Sequence, residues 1–376
     1  MKYYIIAGEA SGDLHGSNLI RSLQQLDPTA DVRCWGGDKM AATGATLVKH
    51  YRDLAFMGFV EVLTHLKTIF RNLDLCKSDI TQYKPDVLIL IDYPGFNLRI
   101  AGWAKKAGFK VVYYISPQVW AWKESRVPAM KKNIDKMLVI LPFEKPYFEN
   151  KFNWPVTYVG HPLVGAIQAF EANKESHPLP DKLMEVVGHK KIVAILAGSR
   201  RQEVQKKLPV MLSMARYFPA CQFVVAMAPS LEADFYAPFL APYPNVMAVN
   251  GKTYALLLRA EAALVTSGTA TLETALFGVP EVVCYKGNPI SYQIARRLIK
   301  VKYISLVNLI MDRLVVEELI QNDFNEMSLK KALSSILEDP AVRSRMKKDY
   351  AQLKEILSAG GNASDNAATQ ILEFIR

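Results

Sequence analysis

The stretch Lys2-Tyr3-Tyr4-Ile5-Ile6-Ala7-Gly8-Glu9-Ala10-Ser11-Gly12-Asp13 joins an apolar run to a glycine-containing turn. An apolar run rich in β-branched and aromatic residues, followed by such a turn, predicts a β-strand that leads into a helix. The turn has neither the GxGxxG spacing of a dinucleotide fingerprint nor the Lys-Ser/Thr pair of a phosphate loop. Its carboxylates, Glu9 and Asp13, would repel a diphosphate but could accept hydrogen bonds from sugar hydroxyls. Alternatively, Asp13 or Ser11 only caps the first helix.

Predicted strands and helices alternate in this way along nearly the whole chain, and this alternation predicts βα units around parallel sheets. Most of the apolar runs are continuous, as expected of strands that are covered on both faces. From about Asn325 onward the pattern is purely helical. The predicted strands are residues 2–7, 31–35, 87–91, 110–115, 136–141 and 156–159 in the first half, and 191–197, 222–227, 245–249, 262–266 and 281–285 in the second.

The chain has 376 residues, half of them hydrophobic, which exceeds what one hydrophobic core normally accommodates. We therefore expect an α/β protein with two Rossmann-like domains, residues 1–163 and 164–345, whose parallel sheets face a central cleft. The predicted junction lies between residues 159–162 and the polar stretch 171–178, where the apolar pattern lapses. Residues 346–376 are expected to form C-terminal helices that pack back on an N-terminal domain, either their own or that of a partner in a homodimer.

The net charge of +10 favours anionic partners. Nucleic acid is not expected among them, because no basic and aromatic motif typical of RNA binding is visible. The four cysteines lie far apart, so neither a CxxC metal pattern nor a disulfide framework is indicated. The sequence shows no charged-then-apolar leader and no apolar stretch of the roughly 18 residues that a spanning helix needs. We therefore expect a cytoplasmic protein.

In open α/β sheets, ligands bind beyond the carboxyl ends of the strands, so the residues that follow each strand are candidates for a site. Asp92 follows the predicted strand 87–91, and a partly desolvated aspartate with a raised pKa could act as general base for a hydroxyl. A structural or capping role for Asp92 is the alternative. The two tryptophans of residues 116–122 could form a platform for a sugar or an acyl chain, or they could pack in the core.

Two loops of the second half suit a phosphate. Residues 196–201 leave a strand and open a helix, which provides free backbone N–H groups beside a guanidinium. Residues 266–273 repeat this arrangement with hydroxyls and a glycine at the helix N-terminus, and Glu273 would then face a ribose. Alternatively, Ser267 and Thr269 only cap the helix, in a capping box with Glu273.

Eight motifs occur in order along the chain. They are residues 7–13 (AGEASGD), 56–62 (FMGFVEV), 92–97 (DYPGFN), 116–122 (SPQVWAW), 141–144 (LPFE), 198–200 (GSR), 267–273 (SGTATLE) and 305–309 (SLVNL). In this combination the chain resembles the lipid-A-disaccharide synthases, inverting glycosyltransferases of the GT-B fold, over essentially its entire length. Members of this family often carry an acidic residue at the position of Gly95, so no catalytic role is assigned to that position.

The resemblance implies transfer of 2,3-diacylglucosamine from its UDP donor to the 6-hydroxyl of 2,3-diacylglucosamine 1-phosphate, a step in the synthesis of lipid A in Gram-negative bacteria. The products are a β-1,6 disaccharide and UDP. Asp92 would deprotonate the acceptor hydroxyl and Arg200 would neutralise the departing diphosphate, so neither a metal nor another cofactor is expected.

The site residues expected from this resemblance and from the loops fall into two sets. The UDP donor set is Ser199, Arg200, Ser267, Gly268, Thr269, Ala270, Thr271, Glu273 and Asn308. The acceptor set is Glu9, Ser11, Asp13, Asn97, Ser116 and Gln118. By analogy with related UDP-sugar transferases, residues 251–254 are expected near the uracil.

Acylated substrates have to be taken from a membrane, so we expect peripheral association with the cytoplasmic face of the inner membrane. The apolar stretch 54–71, with its interspersed basic residues, would suit an interfacial face or an acyl pocket, and core packing is the alternative.

Two rival functions stay open. Another UDP-N-acetylglucosamine-dependent lipid glycosyltransferase would share the donor half and differ in the first domain. The other is a non-catalytic nucleotide-binding protein. Replacing Asp92 distinguishes the two cases, because only a transferase would lose turnover.

Overall fold

The structure, a computed structural model, describes residues 1–54, 66–288, 292 and 301–376. Helices and strands alternate along these residues, and the strands form two parallel sheets. The α/β class predicted from the sequence is therefore confirmed.

The elements run as follows in chain order. The strands are β1 Lys2–Ala7, β2 Asp31–Gly36, β3 Thr46–His50, β4 Val87–Ile91, β5 Val111–Tyr114, β6 Lys136–Val139, β7 Thr157–Tyr158, β8 Lys191–Leu196, β9 Cys221–Met227, β10 Val246–Asn250, β11 Ala260–Thr266, β12 Glu281–Tyr285 and β13 Glu317–Ile320. The helices are α1 Ala10–Leu26, α2 Asp38–Ala41, α3 Leu66–Tyr83, α4 Pro94–Lys106, α5 Val119–Trp122, α6 Val127–Asn133, α7 Glu144–Phe152, α8 Pro162–Ala172, α9 Asp181–Val187, α10 Arg201–Tyr217, α11 Ala233–Leu240, α12 Thr253–Leu257, α13 Thr269–Leu276, α14 Leu306–Met311, α15 Glu326–Glu338, α16 Pro340–Ser358 and α17 Ala363–Ile375. Short 3-10 turns occur at Tyr51–Leu54, Glu124–Arg126 and Lys174–Ser176.

The first compact unit comprises residues 1–162 and 357–376 and contains a seven-stranded sheet in the order β3-β2-β1-β4-β5-β6-β7. Successive side chains of β1 enter two different cores: Tyr3 and Ile5 lie on the face that α1 and α17 cover, and Tyr4 and Ile6 lie on the other. The strand order reverses between β1 and β4, so the loops after these two strands flank the switch point at which such sheets bind ligands.

The loop after β1 is anchored by Asp13, although Asp13 does not cap the helix in which it lies. Helix α1 has Glu9 at its N-cap and no side-chain cap bond. The buried carboxylate of Asp13 instead accepts backbone N–H bonds from Gly37 at 2.7 Å, Lys39 at 3.1 Å and Met40 at 3.0 Å. It therefore caps α2, and the alternative that Asp13 caps the first helix is wrong. The partners lie 24 or more residues away, so local sequence could not reveal them.

The C-terminal helix α17 packs on α1 within the first unit. Its apolar face, which includes Ala367 and Ile371, is fully buried in the same core as Leu19 and Leu23 of α1. Asp365 fixes the position of α17 by accepting a 2.7 Å hydrogen bond from the Ser22 hydroxyl. The last helix thus completes the cover of one face of the sheet.

The second compact unit comprises residues 163–356 and contains a six-stranded sheet in the order β10-β9-β8-β11-β12-β13. The order again reverses next to the first strand of the unit, between β8 and β11. The loops after β8 and β11 therefore flank the switch point of this sheet.

Two strands, β3 and β13, were not predicted from the sequence. Both lie at the edge of a sheet, and their sequences, TLVKH and EELI, mix charged with apolar residues. Edge strands have one side in solvent and often carry charges that discourage pairing with other chains, so they lack the continuous apolar run that marks a central strand.

Replacing Asp13 with alanine is expected to lower the free energy of unfolding of the first unit by at least about 2 kcal/mol, because three buried N–H groups lose a charged acceptor. All five tryptophans lie in this unit, so urea unfolding followed by tryptophan fluorescence reports on it.

The matched control is Asp74→Ala, which removes an exposed carboxylate that pairs loosely with Lys77 at 3.4 Å. Its expected effect is below about 0.5 kcal/mol. Equal unfolding curves for the two variants would contradict the anchoring role of Asp13.

Candidate active site

The loop after β8 presents a cation at the N-terminus of α10. Arg200 is the N-cap residue, and its exposed guanidinium makes no hydrogen bond or ion pair with any residue that the structure describes. Gly198 has φ 128°, and a Cβ atom there would lie 2.6 Å from the Glu203 carboxylate, so this turn requires glycine. The first-turn N–H groups of α10 and the guanidinium of Arg200 together can bind an anion.

The loop after β11 exposes a second helix N-terminus, that of α13. Its N-cap is Gly268, with φ 149° and no side-chain cap bond. The Ser267 hydroxyl donates a 2.8 Å hydrogen bond to the carbonyl of Ile304 and does not cap the helix. The capping-box alternative is therefore wrong, and the first N–H groups of α13 have no side-chain acceptor among the described residues.

These two loops line one cavity of about 380 Å³ within the second unit. Of the expected donor set, it brings together Ser199, Arg200, Ser267, Gly268, Thr269, Ala270 and Glu273. Thr271 and Asn308 are not among its lining residues. Thr253, from the loop that the sequence places near the uracil, lines the same cavity.

Glu273 is half-buried and lines this cavity. It accepts a 3.1 Å hydrogen bond from the Tyr254 hydroxyl. Burial raises the pKa of Glu273 to about 7, and this hydrogen bond opposes the shift. Glu273 can therefore exchange hydrogen bonds with a ligand hydroxyl near neutral pH.

Asn308 is fully buried, and its side-chain amide is saturated within its own loop. Its Nδ2 donates to the Val316 carbonyl at 2.8 Å and to Glu318 at 2.9 Å. Its Oδ1 accepts from the N–H groups of Val315 at 2.8 Å and Val316 at 2.9 Å. Asn308 therefore shapes the segment 305–316. Ile304, which directly precedes this segment, accepts the hydrogen bond from Ser267.

Lys207 is a residue that the sequence analysis missed. It lies on α10, is almost fully buried, and donates from Nζ to the hydroxyl of Thr266, the last residue of β11. Burial lowers the pKa of Lys207, and the nearby Glu203 opposes that shift. A lysine four residues after a glutamate in an otherwise apolar helix face was the signal available in the sequence.

In the first unit, Asp92 directly follows β4 and lies in a strained turn. Asp92 and Tyr93 have φ values of 43° and 46°, and two consecutive left-handed non-glycine residues cost about 1–3 kcal/mol each. The carbonyl of Asp92 is held by the Tyr113 hydroxyl at 2.5 Å and by the Asn97 amide at 2.8 Å. These bonds maintain a backbone conformation that the residues would not otherwise adopt.

The carboxylate of Asp92 lies close to that of Glu9. Burial raises the pKa of Asp92 to about 6, the charge of Glu9 adds to the rise, and the backbone N–H of Tyr93 opposes it. The loops that carry the two acids are in direct contact, since a Cβ atom at Gly8 would lie 2.2 Å from the Tyr93 ring. Asp92 is therefore a base that can accept a proton near neutral pH.

The remaining acceptor-side residues divide by exposure. Asp13 and Asn97 are buried and bonded to backbone groups, and Ser116 is buried with its hydroxyl donating to the carbonyl of Pro117 at 3.1 Å. Glu9 is half-buried, and Ser11 and Gln118 are exposed. The side chains of these last three are available to a ligand.

The tryptophan pair of residues 116–122 is split between core and surface. Trp120 donates from its indole nitrogen to the buried Glu144 carboxylate at 3.2 Å, whereas Trp122 is 53% exposed. Burial raises the pKa of Glu144 to about 7, although the N–H groups of Leu141, Trp120 and Ile140 lower it. Trp120 is therefore a packed residue, and Trp122 alone can offer its ring to a ligand.

Residues 55–65 lie outside the described part of the chain, and with them the 56–62 motif and most of the apolar stretch 54–71. The described end of that stretch, in α3, includes Phe70, whose side chain is 60% exposed. In the portions of the chain that the structure covers, none of the helices combines the length and the apolar composition that crossing a membrane would require.

Comparison with known sequences places the chain in a family. The family model described as lipid-A-disaccharide synthetase matches residues 3–375. The lipid-A-disaccharide synthase of Geobacter metallireducens is 38% identical, covering 99% of this chain and 96% of the relative. That of Syntrophus aciditrophicus is 39% identical, covering 99% and 97%. Lipid-A-disaccharide synthase 1 of Legionella pneumophila is 37% identical, covering 94% and 93%.

Solved structures with similar folds are more distant in sequence. The UDP-GlcNAc 2-epimerase of Neisseria meningitidis, solved with UDP-GlcNAc bound, has a TM-score of 0.67 at 14% identity and covers 100% of this chain and 99% of its own. The calicheamicin glycosyltransferase CalG4 has a TM-score of 0.63 at 18% identity, with 100% and 98% covered. At these identities the likeness shows the fold alone, and it confirms the predicted GT-B class of two Rossmann-like domains.

The family match extends over nearly the whole chain, and the relatives are 36–39% identical over almost their full lengths. The resemblance drawn from the eight motifs is therefore confirmed, and the chain belongs to the lipid-A-disaccharide synthase family of glycosyltransferases.

Proposed function

We propose that this protein transfers 2,3-diacylglucosamine from UDP-2,3-diacylglucosamine to the 6-hydroxyl of 2,3-diacylglucosamine 1-phosphate. Its family membership supports the reaction. The observation that carries the mechanism is that each unit has a different kind of site at the carboxyl ends of its strands. The second unit offers an anion site built from Arg200 and two helix N-termini. The first unit offers a half-buried carboxylate, Asp92, whose pKa is raised to about 6.

The donor's diphosphate binds in the 380 Å³ cavity of the second unit. The N–H groups at the start of α10 and α13 and the guanidinium of Arg200 are hydrogen-bond donors, and they complement phosphate oxygens in charge and geometry. Glu273 accepts a hydrogen bond from a ribose hydroxyl of the nucleotide. Lys207 and Asn308 are positioning residues: their polar atoms are bonded within the protein, so they hold the loops in place and do not bind the donor themselves.

In the transfer step, the 6-hydroxyl oxygen of the acceptor attacks C1 of the donor sugar from the face opposite to UDP. The new bond joins that oxygen to C1, the bond from C1 to the diphosphate oxygen breaks, and the electron pair leaves with UDP. Asp92 takes the proton of the attacking hydroxyl. Arg200 and the helix N-termini stabilise the charge that develops on the diphosphate, so the step is expected to proceed without a metal ion.

Because both substrates carry acyl chains, we also propose that the protein works at the cytoplasmic surface of the inner membrane. The exposed apolar side chains of Phe70 and Leu75 on α3 support a contact there, because Phe70 belongs to the apolar stretch 54–71 and Leu75 follows it by one helical turn. Single exposed apolar side chains are common, so it is their continuity with that stretch that makes this helix the candidate.

The reaction itself is tested by incubating the purified protein with both substrates in neutral detergent micelles with EDTA present. The expected products are the β-1,6 disaccharide 1-phosphate and UDP. An acceptor panel tests the rival lipid glycosyltransferase, since turnover with an unrelated lipid acceptor but not with diacylglucosamine 1-phosphate would contradict the proposal.

The pH dependence of kcat/KM tests the role of Asp92. Because the base must be ionised and its pKa is raised to about 6, activity should fall tenfold per pH unit below about pH 6 and level off above it. Asp92→Asn should reduce kcat by about 10³-fold, while UDP binding persists.

Glu9→Gln identifies the titrating group in the same assay. The charge of Glu9 raises the pKa of Asp92, so its removal should move the inflection to lower pH. Asp31→Asn, a change at an exposed residue of the same unit, should leave the profile in place. An inflection that does not respond to Glu9→Gln would show that another group titrates.

Arg200→Ala is expected to weaken UDP binding about tenfold or more, because the change removes from the diphosphate site a guanidinium that has no partner among the described residues. Isothermal titration of UDP into the protein measures this. The matched control is Arg259→Ala, an exposed arginine of the same unit that does not line the cavity. The same dissociation constant for both variants would place the diphosphate elsewhere.

A further inference from the structure

The hydroxyl groups around the loop after β11 are not bonded alike. Ser267 and Thr271 each donate their proton to a backbone carbonyl, at 2.8 Å in both cases. Thr266, the last residue of β11, instead accepts a hydrogen bond from the Nζ of Lys207 on α10. Thr266 thus differs from its neighbours in the direction of its hydrogen bond.

The chemistry of the pair fixes that direction. An ammonium group has three donors and no acceptor, whereas a hydroxyl has one donor and two acceptor lone pairs. The Thr266 oxygen is therefore the acceptor, and its own proton points away from Lys207. Within the residues that the structure describes, no group accepts this proton. Because Thr266 is buried, an unused donor there costs stability unless a ligand supplies the acceptor.

Thr266 is placed to meet such a ligand. It lines the cavity of about 380 Å³ in the second unit, together with Arg200 and Gly268. The first N–H groups of α13 and the guanidinium of Arg200 already suit this cavity to an anion. A phosphate oxygen bound there is an acceptor of the kind that the Thr266 proton lacks.

Lys207 reaches Thr266 because side chains alternate along β11. Val265 lies in the core that it shares with Leu196, so Thr266 faces the other side of the sheet, where Lys207 meets it. Lys207 is almost fully buried there, and it makes no ion pair with any residue in the described ranges. A buried ammonium without a contacting carboxylate is unfavourable.

The groups that act on Lys207 leave this charge unpaired. Burial lowers the pKa of Lys207, and Glu203, one turn earlier on α10, and Cys284 oppose that shift. Cys284 lies beside Thr266 in the register of β11 and β12. Burial raises the pKa of the Cys284 thiol, so the thiol is neutral and offers no counter-charge. Glu203 acts from beyond ion-pair distance, and a bound anion would offset the remaining charge.

We propose that the Thr266 hydroxyl donates a hydrogen bond to the diphosphate of the sugar donor, and that Lys207 is the positioning residue that directs it there. The inference rests on the proposed function, in which the diphosphate occupies this cavity. It adds Thr266 to the residues that contact the donor, and it gives the buried charge of Lys207 a role in the reaction.

This arrangement strengthens the bond to the diphosphate in two ways. The ammonium polarises the hydroxyl, because hydrogen bonds in a chain reinforce one another. The negative charge of the diphosphate also supplies the counter-charge that Lys207 lacks. That negative charge increases as UDP leaves C1, so Thr266 and Lys207 stabilise the transition state more than they stabilise the bound donor.

The direction of the hydrogen bond depends on Lys207 being charged. A neutral amine has a lone pair, so it would accept the Thr266 proton and remove it from the ligand. A bound diphosphate opposes this change, because a nearby negative charge raises the pKa of an ammonium group. The nucleotide therefore favours the protonation state that binds it.

Two substitutions remove the parts of this pair with little change in shape. Thr266→Val replaces the hydroxyl with a methyl group and keeps a β-branched residue in the strand. Lys207→Met removes the charge and keeps an unbranched side chain, and apolar replacements of buried charges are often neutral or stabilising. Thermal unfolding of each variant, followed by circular dichroism, verifies that the fold is retained.

Isothermal titration of UDP into the full chain measures the effect of each change. Thr266→Val should weaken UDP binding about tenfold, the loss of one hydrogen bond to a charged group. Lys207→Met should weaken it to a similar extent, because the hydroxyl is no longer directed at the ligand. The double variant should also lose about tenfold, and not about a hundredfold, because Lys207 acts through Thr266.

Three readouts distinguish this role from a structural one. Thr266→Ser keeps the hydroxyl and should bind UDP as the wild-type protein does. Uridine, which lacks the diphosphate, should bind equally to the wild-type protein, to Thr266→Val and to Lys207→Met in a ligand-observed NMR titration. In the transfer assay, kcat should fall about tenfold or more in the last two variants, because the lost hydrogen bond is strongest to the leaving group.

Matched controls lie in the same unit. Thr274→Val removes a buried hydroxyl of α13 that donates to the Ala270 carbonyl at 2.8 Å, and Thr274 does not line the cavity. Lys206→Met makes the same change of charge at the exposed residue beside Lys207. Both controls should bind UDP as the wild-type protein does.

The outcomes separate the inference from the function on which it rests. Wild-type UDP affinity in Thr266→Val would overturn the inference, and so would equal losses for UDP and uridine, since the variants would then disturb the whole pocket. A loss of about a hundredfold in the double variant would show that Lys207 acts independently of Thr266 and would overturn the positioning role. The expected pattern of UDP binding without any transfer to the acceptor would support the inference and overturn the proposed function. Absence of UDP binding by the wild-type protein would overturn both.

Discussion

Parallel strands end together, and this constraint determines where both candidate sites lie. In a parallel sheet the carboxyl ends of all strands meet at one edge, so loops that are distant in sequence become neighbours. In the first unit the loops of Glu9 and Asp92 come together in this way, and in the second the loops of Arg200 and Ser267 do. Both pairs flank the position at which the strand order reverses.

The two sites differ in electrostatic character: the site in the second unit suits an anion, and the site in the first unit holds a carboxylate base. In the second unit, glycines with positive φ at residues 198 and 268 open the turns and leave helix N–H groups available to an anion. In the first unit, burial and the charge of Glu9 make Asp92 a stronger base than a solvated aspartate. Tyr113 and Asn97 hold its strained backbone, so the same buried groups that stabilise the turn also orient the base.

Much of the fold could be predicted from the sequence because it depends on local patterns. The central strands are continuous apolar runs, and the loops at residues 198–200 and 267–273 are recognisable from their glycines, hydroxyls and cation. The edge strands β3 and β13 were missed, since half-solvated strands lack that apolar signal.

The roles of individual polar residues depended on partners outside their own helix or turn, which a single sequence does not reveal. Asp13 binds backbone groups of residues 37–40, and Asn308 binds those of residues 315 and 316. Lys207 pairs with a hydroxyl 59 residues away. The sequence analysis singled out Asp13 and Asn308 and missed Lys207, and whether each of these side chains faced a ligand or the protein interior was decided by tertiary contacts.

The central claim is that the nucleotide binds to the strand-end loops of the second unit and not to the glycine-containing turn after β1. Hydrogen exchange of the full chain, measured by mass spectrometry with and without UDP, tests this claim most directly. The account predicts slower exchange at residues 198–203 and 267–271 with UDP present, and unchanged exchange at residues 8–13. Protection of residues 8–13, with none in the second unit, would contradict it.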